Sequence, residues 1–472
     1  MLNPSTRSFG ASLLRLAGAA LVLGASVLTP AQSQTLSPMA QVGAKLFFDT
    51  NLSASKQMSC ASCHNPNNHY APSNARPVQL GGPTLTTPGF RAVPTLTYKD
   101  LTPGYSDDAS NPDGVSTNSP GGGYTWDGRV NTLAEQVAIP LLSSFEMANT
   151  SQAAVVQVVQ NASYAALFQQ AFGANVFSDP GTAFTDVGLA LQEYQLEDSD
   201  FHPYTSKYDF ATSLELSNGQ PVNLTAAENR GFDVYFDSSK GNCFACHYNG
   251  PLVGGGGAQF TDFTFQALGV PRNTAIPAAA TRPGLPPTYY DLGLCRAQNI
   301  AFPHVLPAAA DLCGLFKVPT LRNVATRSVF FHNGVFSSLA QVLSWYNTRD
   351  TNPAAWYPSL GGVVQKFNDL PTAYKPNVTG NATLDQAIAQ AEEADQQALD
   401  EGLAPPCNVA ATPGFGLADA QSCLGWVPSW GLPPGATPAM TAQDLADLQC
   451  FLETLTDGYV QGVTAQDPNC IN

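Results

Sequence analysis

The chain has 472 residues, 44% of them apolar and only 12% charged, with 10 cysteines and six histidines. That length supports two or three packed domains and the apolar content excludes a disordered protein. A charged fraction about half the usual ~25% leaves the surface to Ser, Thr, Asn, Gln, Gly and Pro, and a net charge of −16 argues against nucleic acid or an anionic membrane face as partner.

Residues 1–34 carry Arg7 and Arg15, an apolar run from Leu16 to Leu28, then Thr29-Pro30-Ala31-Gln32-Ser33, with no acidic group. The pattern is that of a secretory signal cleaved after Ala31 or a few residues later, which takes the mature charge to about −18. No later apolar stretch reaches the ~20 residues a membrane span requires, and the leader has no Cys for a lipid anchor. Export to an oxidising compartment is expected, the periplasm or the cell surface.

Two segments then read almost alike. Ala44-Lys45-Leu46-Phe47-Phe48-Asp49 leads to Cys60-Ala61-Ser62-Cys63-His64, and Phe232-Asp233-Val234-Tyr235-Phe236-Asp237 leads to Cys243-Phe244-Ala245-Cys246-His247. Each is followed by Val-Pro-Thr-Leu, at 93–96 and 318–321, and then by a third block, Trp126-Asp127-Gly128 or His332-Asn333-Gly334, with a Leu seven residues after its first residue. The chain reads as an internal duplication, with one domain at 35–215, a second at 216–472, and the two facing one another.

Helices are predicted after each third block, where Thr132 to Glu135 and Ser338 to Gln341 read as capping boxes. Leu133, Gln136, Val137 and Pro140 fall on one stripe, as do Leu339, Val342, Leu343 and Tyr346, so Pro140 and Tyr346 occupy equivalent places. Further helices are predicted at 151–172, 183–198, 225–237, 384–402 and 441–456, with long Gly- and Pro-rich loops at 102–125 and 271–290. Strand signals are weak, so the fold class is mainly α. Residues 352–438 have no counterpart in the first half and read as an insertion, a loop-rich cap with one helix.

Cys-x-x-Cys-His is the attachment signature of c-type haem: two thiols bond the haem vinyls and the His ligates iron. A zinc site would need both Cys pairs brought together and would leave the two histidines unexplained. Two covalent haems are therefore expected, held by Cys60, Cys63 and His64 and by Cys243, Cys246 and His247. An open opposite face activates peroxide, whereas a face closed by a strong ligand makes a carrier. No Met stands between 148 and 439, so Met ligation of the second haem is not expected. Tyr346 offers an oxygen in its place, although its spacing equally fits the apolar end of an amphipathic helix; Pro140 offers no donor, which leaves the first haem open.

Taken together, Leu46-Phe47-Phe48-Asp49, Cys60 to His64 followed by Pro66, Trp126-Asp127-Gly128-Arg129, Cys243 to His247, Val318-Pro319-Thr320-Leu321-Arg322-Asn323 and Phe331-His332-Asn333-Gly334 closely resemble the bacterial di-haem cytochrome c peroxidase and MauG superfamily over residues 40–350 and 441–457. The resemblance is MauG-like at two places, because MauG-type members carry a Tyr at the position of Tyr346 and a Pro at that of Pro140. It implies a relay role for Trp126 between the haems, a distal acid–base role for Glu146, a pocket role for Gln136, and for His332 a place near the second haem without axial ligation. His69 reads as surface or propionate-adjacent, and His202 and His304 carry no pattern. Members of the superfamily place calcium between the domains, using an Asn before Pro-Thr and carbonyls before the His-Asp-Gly block. Here those places are Ala92, Arg327 and Val329; backbone carbonyls can still serve, but the lost Asn side chain and the added cation count against the ion.

The remaining six cysteines form an even set in an oxidising compartment, for which about 15 connectivities are open; nearest-neighbour pairing, Cys295–Cys313, Cys407–Cys423 and Cys450–Cys470, is the one expected. The function expected is an exported di-haem enzyme that takes hydrogen peroxide at the first haem. It then oxidises a small redox protein (a cytochrome c or cupredoxin) or a protein side chain through the second haem. A non-catalytic di-haem carrier or redox sensor is the alternative.

Overall fold

Helices form where apolar stripes meet good caps. The computed structural model describes residues 35–110, 119–213, 215–250, 257–276, 290–295, 310–382 and 384–472; the expected leader, most of the 271–290 loop and His304 lie outside them. Helix α1 (Pro38–Phe48) starts on a Ser37 hydroxyl that accepts from Ala40 N, with Pro38 in the first turn, where its missing N–H costs nothing. The short α2 (Cys60–Cys63) carries the first Cys pair. Helix α3 (Leu133–Leu142) opens on the predicted Thr132–Glu135 capping box.

The helix expected over 151–172 is two, α4 (Gln152–Gln160) and α5 (Ala165–Phe172). Asn161 ends the first by turning its Nδ2 onto Gln157 O, 2.7 Å away, a local bond that competes with helix propagation. Helix α6 (Pro180–Glu197) follows, then α7 (Lys207–Ser213), α8 (Ala226–Phe236) on its Thr225–Glu228 box, and α9 (Leu339–Thr348). At α9 the box is displaced: Ser338 accepts from Gln341 N, but the Gln341 side chain accepts from Ser337 N instead of Ser338 N. The insertion holds α10 (Leu384–Asp400) and also α11 (Leu417–Cys423), a second helix that the sequence pattern does not announce; α12 (Ala442–Glu453) closes the fold. Strands are two to four residues long and paired two by two, such as Leu80–Gly81 with Thr87–Pro88 and Phe265–Gln266 with Phe316–Lys317.

Residues Leu36–Asn472 make one compact unit with two large apolar cores. One gathers Leu46, Phe47, Val137, Leu141, Phe168 and Leu191; the other gathers Val234, Tyr235, Leu339, Leu343, Leu448 and Phe451. Each such Leu or Phe contributes ~1.5–3 kcal/mol on burial. The packing repeats between them: α1 lies on α6 and α3 on α6, as α8 lies on α12 and α9 on α12. Equivalent glycines make the close crossings. A Cβ on Gly43 would stand 2.0 Å from Ala190 O, and one on Gly231 would stand 1.9 Å from Asp447 O. The three disulfides pair as predicted, Cys295–Cys313, Cys407–Cys423 and Cys450–Cys470.

Candidate functional site

The two Cys-x-x-Cys-His segments present their histidines in the same way. His64 Nδ1 lies 3.1 Å from Tyr70 O and His247 Nδ1 lies 3.0 Å from Phe260 O. A carbonyl can only accept, so Nδ1 carries the proton and Nε2 keeps its lone pair for a metal. Burial holds both rings neutral, bringing each down to about 4, with the neighbouring carbonyls opposing. The repeated Val-Pro-Thr-Leu supports this arrangement in a way that sequence reasoning missed. Thr95 Oγ1 donates to His69 O at 2.5 Å and Thr320 Oγ1 donates to Gln259 O at 2.6 Å, each pinning the residue just before the carbonyl that orients the His. The signal was in the repeat itself, a Thr at the same offset in both copies.

Cys60, Cys63, Cys243 and Cys246 are the unpaired cysteines. Burial pushes the Cys60 and Cys243 thiols up to about 12 and Cys63 up to about 11. Among the described residues the sole cluster of metal-type ligands is Glu453, Asp467 and Cys470, and that sulfur is bonded to Cys450; the two Cys pairs do not converge. Two separate thiol pairs, each with a neutral His oriented from Nδ1, fit a covalently attached haem at each segment.

A cavity of about 210 Å³ opens at the second segment, lined by Cys243, Cys246, His247, Leu343, Tyr346 and Trp430 among others. Tyr346 comes from α9 as its stripe predicts. Its ring stacks on Trp430 of the insertion (centroids 5.8 Å apart, 13° between planes), and Trp430 Nε1 donates to Tyr346 O at 2.9 Å. Burial drives the phenol well above its ordinary value, with the adjacent Cys246 and Cys243 adding to the effect. His332 lines the same cavity, stacked on Phe316 at 3.5 Å with Nε2 3.5 Å from Asp369. Trp126 lines it as well; the indole donates to Ala92 O at 2.8 Å and its carbonyl accepts from Lys317 N at 2.9 Å. The third blocks that deliver Trp126 and His332 turn on Gly128 (φ +58°) and Gly334 (φ +60°), a left-handed conformation that disfavours any Cβ.

In the first half Pro140 lies inside α3, half-buried, with Gln136 one turn before it. The chain leaving α3 folds back through Glu146 N to Ser143 O (3.0 Å) and Met147 N to Pro140 O (3.0 Å), which places Glu146 beside the helix end. Burial raises the Glu146 carboxyl, opposed by Ser143 and Arg129, and its charge in turn raises Cys63. The structure therefore brings Glu146 to the side chains of the first segment. Where family members place calcium, the guanidinium of Arg327 takes Val93 O (3.1 Å) and Val329 O (3.3 Å), so an ion there would compete with a side-chain cation for the Val329 carbonyl.

Residues 37–213 match the family described as di-haem cytochrome c peroxidase. The methylamine utilization protein MauG of Paracoccus denitrificans is 33% identical over 313 residues, 66% of this chain and 74% of that protein. The chain belongs to the di-haem cytochrome c peroxidase and MauG family. Another relative is the cytochrome c551 peroxidase of Nitrosomonas europaea, 29% identical over 71% of this chain and 83% of that one. Among solved structures, the diheme peroxidase BthA of Burkholderia thailandensis superposes with a TM-score of 0.67 at 32% identity, covering 92% of this chain and 90% of that one. This member of the family is thus a di-haem peroxidase, mainly helical, and the family implies two covalent haems, hydrogen peroxide and an electron donor. Its disulfides fit an exported protein, and among the described residues no helix is long and apolar enough to cross a membrane.

Proposed function

We propose that this peroxidase takes hydrogen peroxide at the haem of Cys60, Cys63 and His64, and that Tyr346 closes the haem of Cys243, Cys246 and His247. A haem with one open face supplies peroxide activation, and one with both faces filled supplies storage of oxidising equivalents. The observation that carries the assignment is the asymmetry of equivalent places: Tyr346 of α9 lines the cavity with His247, whereas the equivalent place on α3 holds Pro140, which has no donor.

Glu146 is the proton carrier. One carboxylate oxygen accepts the peroxide proton and returns it to the departing oxygen, and the raised affinity that burial gives the carboxyl suits both halves of that exchange. Gln136, on the α3 face that carries Pro140, is the pocket hydrogen-bond donor. Trp126, which lines the cavity with His247, relays oxidising equivalents between the haems. The electron source is a small redox protein or an oxidisable protein side chain; Tyr346 favours the second by analogy with MauG.

Stopped-flow visible and near-infrared spectroscopy tests this reading, with the fully oxidised protein mixed with one equivalent of peroxide and again after one electron is added. Immediate reaction of the oxidised form, with a near-infrared band between the haems that is lost in Tyr346→Phe, is expected. Reaction only after half-reduction would refute the Tyr346 ligation, and no reaction in either state would leave a carrier or sensor.

A further inference from the structure

Three cations line the same cavity on its side toward the first half, Lys99, Lys317 and Arg327. They come from different parts of the chain and lie close enough for Lys99 to feel Arg327 and for Lys317 to feel Lys99. All three line the cavity with Cys243, Cys246 and His247, and Lys99 and Arg327 also act on His64. Arg327 spends its hydrogen bonds on the Val93 and Val329 carbonyls, and Lys317 donates Nζ to Gly123 O. Among the described residues no ion pair joins any of the three to an acid.

The nearby carboxylates offset them only in part: Asp100 acts on Lys99 and Asp127 on Lys317, but among the described residues neither closes an ion pair with its lysine. Asp127 is held by Arg91 (2.9 Å) and Arg129, Asp291 by Arg91 (2.6 Å), and Asp100 keeps Oδ1 buried without a partner. Burial lowers Lys99 to about 8, Lys317 to about 7 and Arg327 to about 10; Arg327 adds to the first and Lys99 to the second, with Asp100 and Asp127 opposing. Three like charges gathered at one apolar cavity in a chain of net charge −16 are costly unless an anion enters. We infer that Lys99, Lys317 and Arg327 form a carboxylate-binding wall between the two haem sites and take the haem propionates. The inference rests on haem at both Cys-x-x-Cys-His segments and is independent of whether Tyr346 is a ligand. His69 lines the same wall and is a further donor to these carboxylates. Placed there, the cations hold the haem edges in register across the gap and favour the reduced state of the nearer iron.

The test is low-frequency resonance Raman spectroscopy and redox titration of the purified two-haem protein and of Lys99→Met, Lys317→Met and Arg327→Gln, with the exposed Lys45→Gln as control. Pyridine haemochrome counting first establishes two haems per chain; a count below two in the parent protein is a failure of the haem reading and not of this one. Propionate bending bands that move to lower frequency, with a fall in the midpoint potential of at least one haem, are expected in each variant and not in the control. Any one variant that keeps both haems decides, so loss of one to misfolding leaves the others. Unmoved propionate bands would overturn the inference. So would potentials that respond to added phosphate or chloride with unmoved bands, because the wall would then be a site for free anions.

Discussion

At the scale of single atoms, the proposed role of Glu146 is on a proton, and Thr95 holds a backbone carbonyl. For Glu146→Gln the rate of reaction with peroxide is expected to fall by about 10²–10⁴ with the haem spectra unchanged. The pH–rate profile carries the sign. Burial raises the Glu146 carboxyl, so it keeps its proton to a higher pH than an ordinary glutamate and the acid limb is displaced upward. The limb disappears in Glu146→Gln; a limb that persists would assign it to another group. Glu146 was found through the resemblance, because a single Glu between Phe145 and Met147 carries no chemistry on its face. The threonines of the Val-Pro-Thr-Leu repeats were visible as repeats, but their role was not, because a hydroxyl bond to the residue before a carbonyl exists only once two loops meet.

Helix against helix, the duplication becomes physical. Gly43 and Gly231 stand at equivalent crossings where a backbone carbonyl of the facing helix comes within about 2 Å of the point a Cβ would occupy. Gly43→Ala and Gly231→Ala are each expected to cost at least the ~1–3 kcal/mol of an overpacked core, read as lowered melting temperatures of the haem-loaded protein. A gain from the higher helix propensity of Ala would show that the helices separate without penalty. A second prediction belongs to α8, whose capping Glu228 also pairs with Lys207 at 2.7 Å, both side chains 6% exposed. Lys207→Met leaves that carboxylate buried without its cation, and a loss of ~3–5 kcal/mol is expected in the same assay. The capping box was legible from Thr225 and Glu228. The Lys207 partner was not, since it lies on α7 and meets Glu228 only through packing.

For the molecule as a whole, the insertion is part of the second site. Trp430 is 3% exposed, belongs to a small core with Ala387, Ala420 and Trp426, and stacks on Tyr346 beneath the Arg349 guanidinium, 3.9 Å from its ring centroid. Trp430→Ala is expected to cost ~3–5 kcal/mol and to alter the optical spectrum of the second haem, while peroxide binding at the first haem is unchanged. A variant whose second-haem spectrum matches the parent would reduce the insertion to a cover.

Spacing and residue type determined the mainly helical class, both Cys-x-x-Cys-His segments, the duplication and the helix stripes that carry Tyr346 and Pro140, because each is encoded within a short stretch of the chain; among the open pairings of the six cysteines, the fold selected the nearest-neighbour one. Tertiary structure alone decided the break after Asn161, the second helix of the insertion, the stacking of Trp430 on Tyr346 and the gathering of Lys99, Lys317 and Arg327. Those depend on which distant segments share a cavity, and the energy of a buried charge or ring is set by what surrounds it in space and not by its neighbours in sequence.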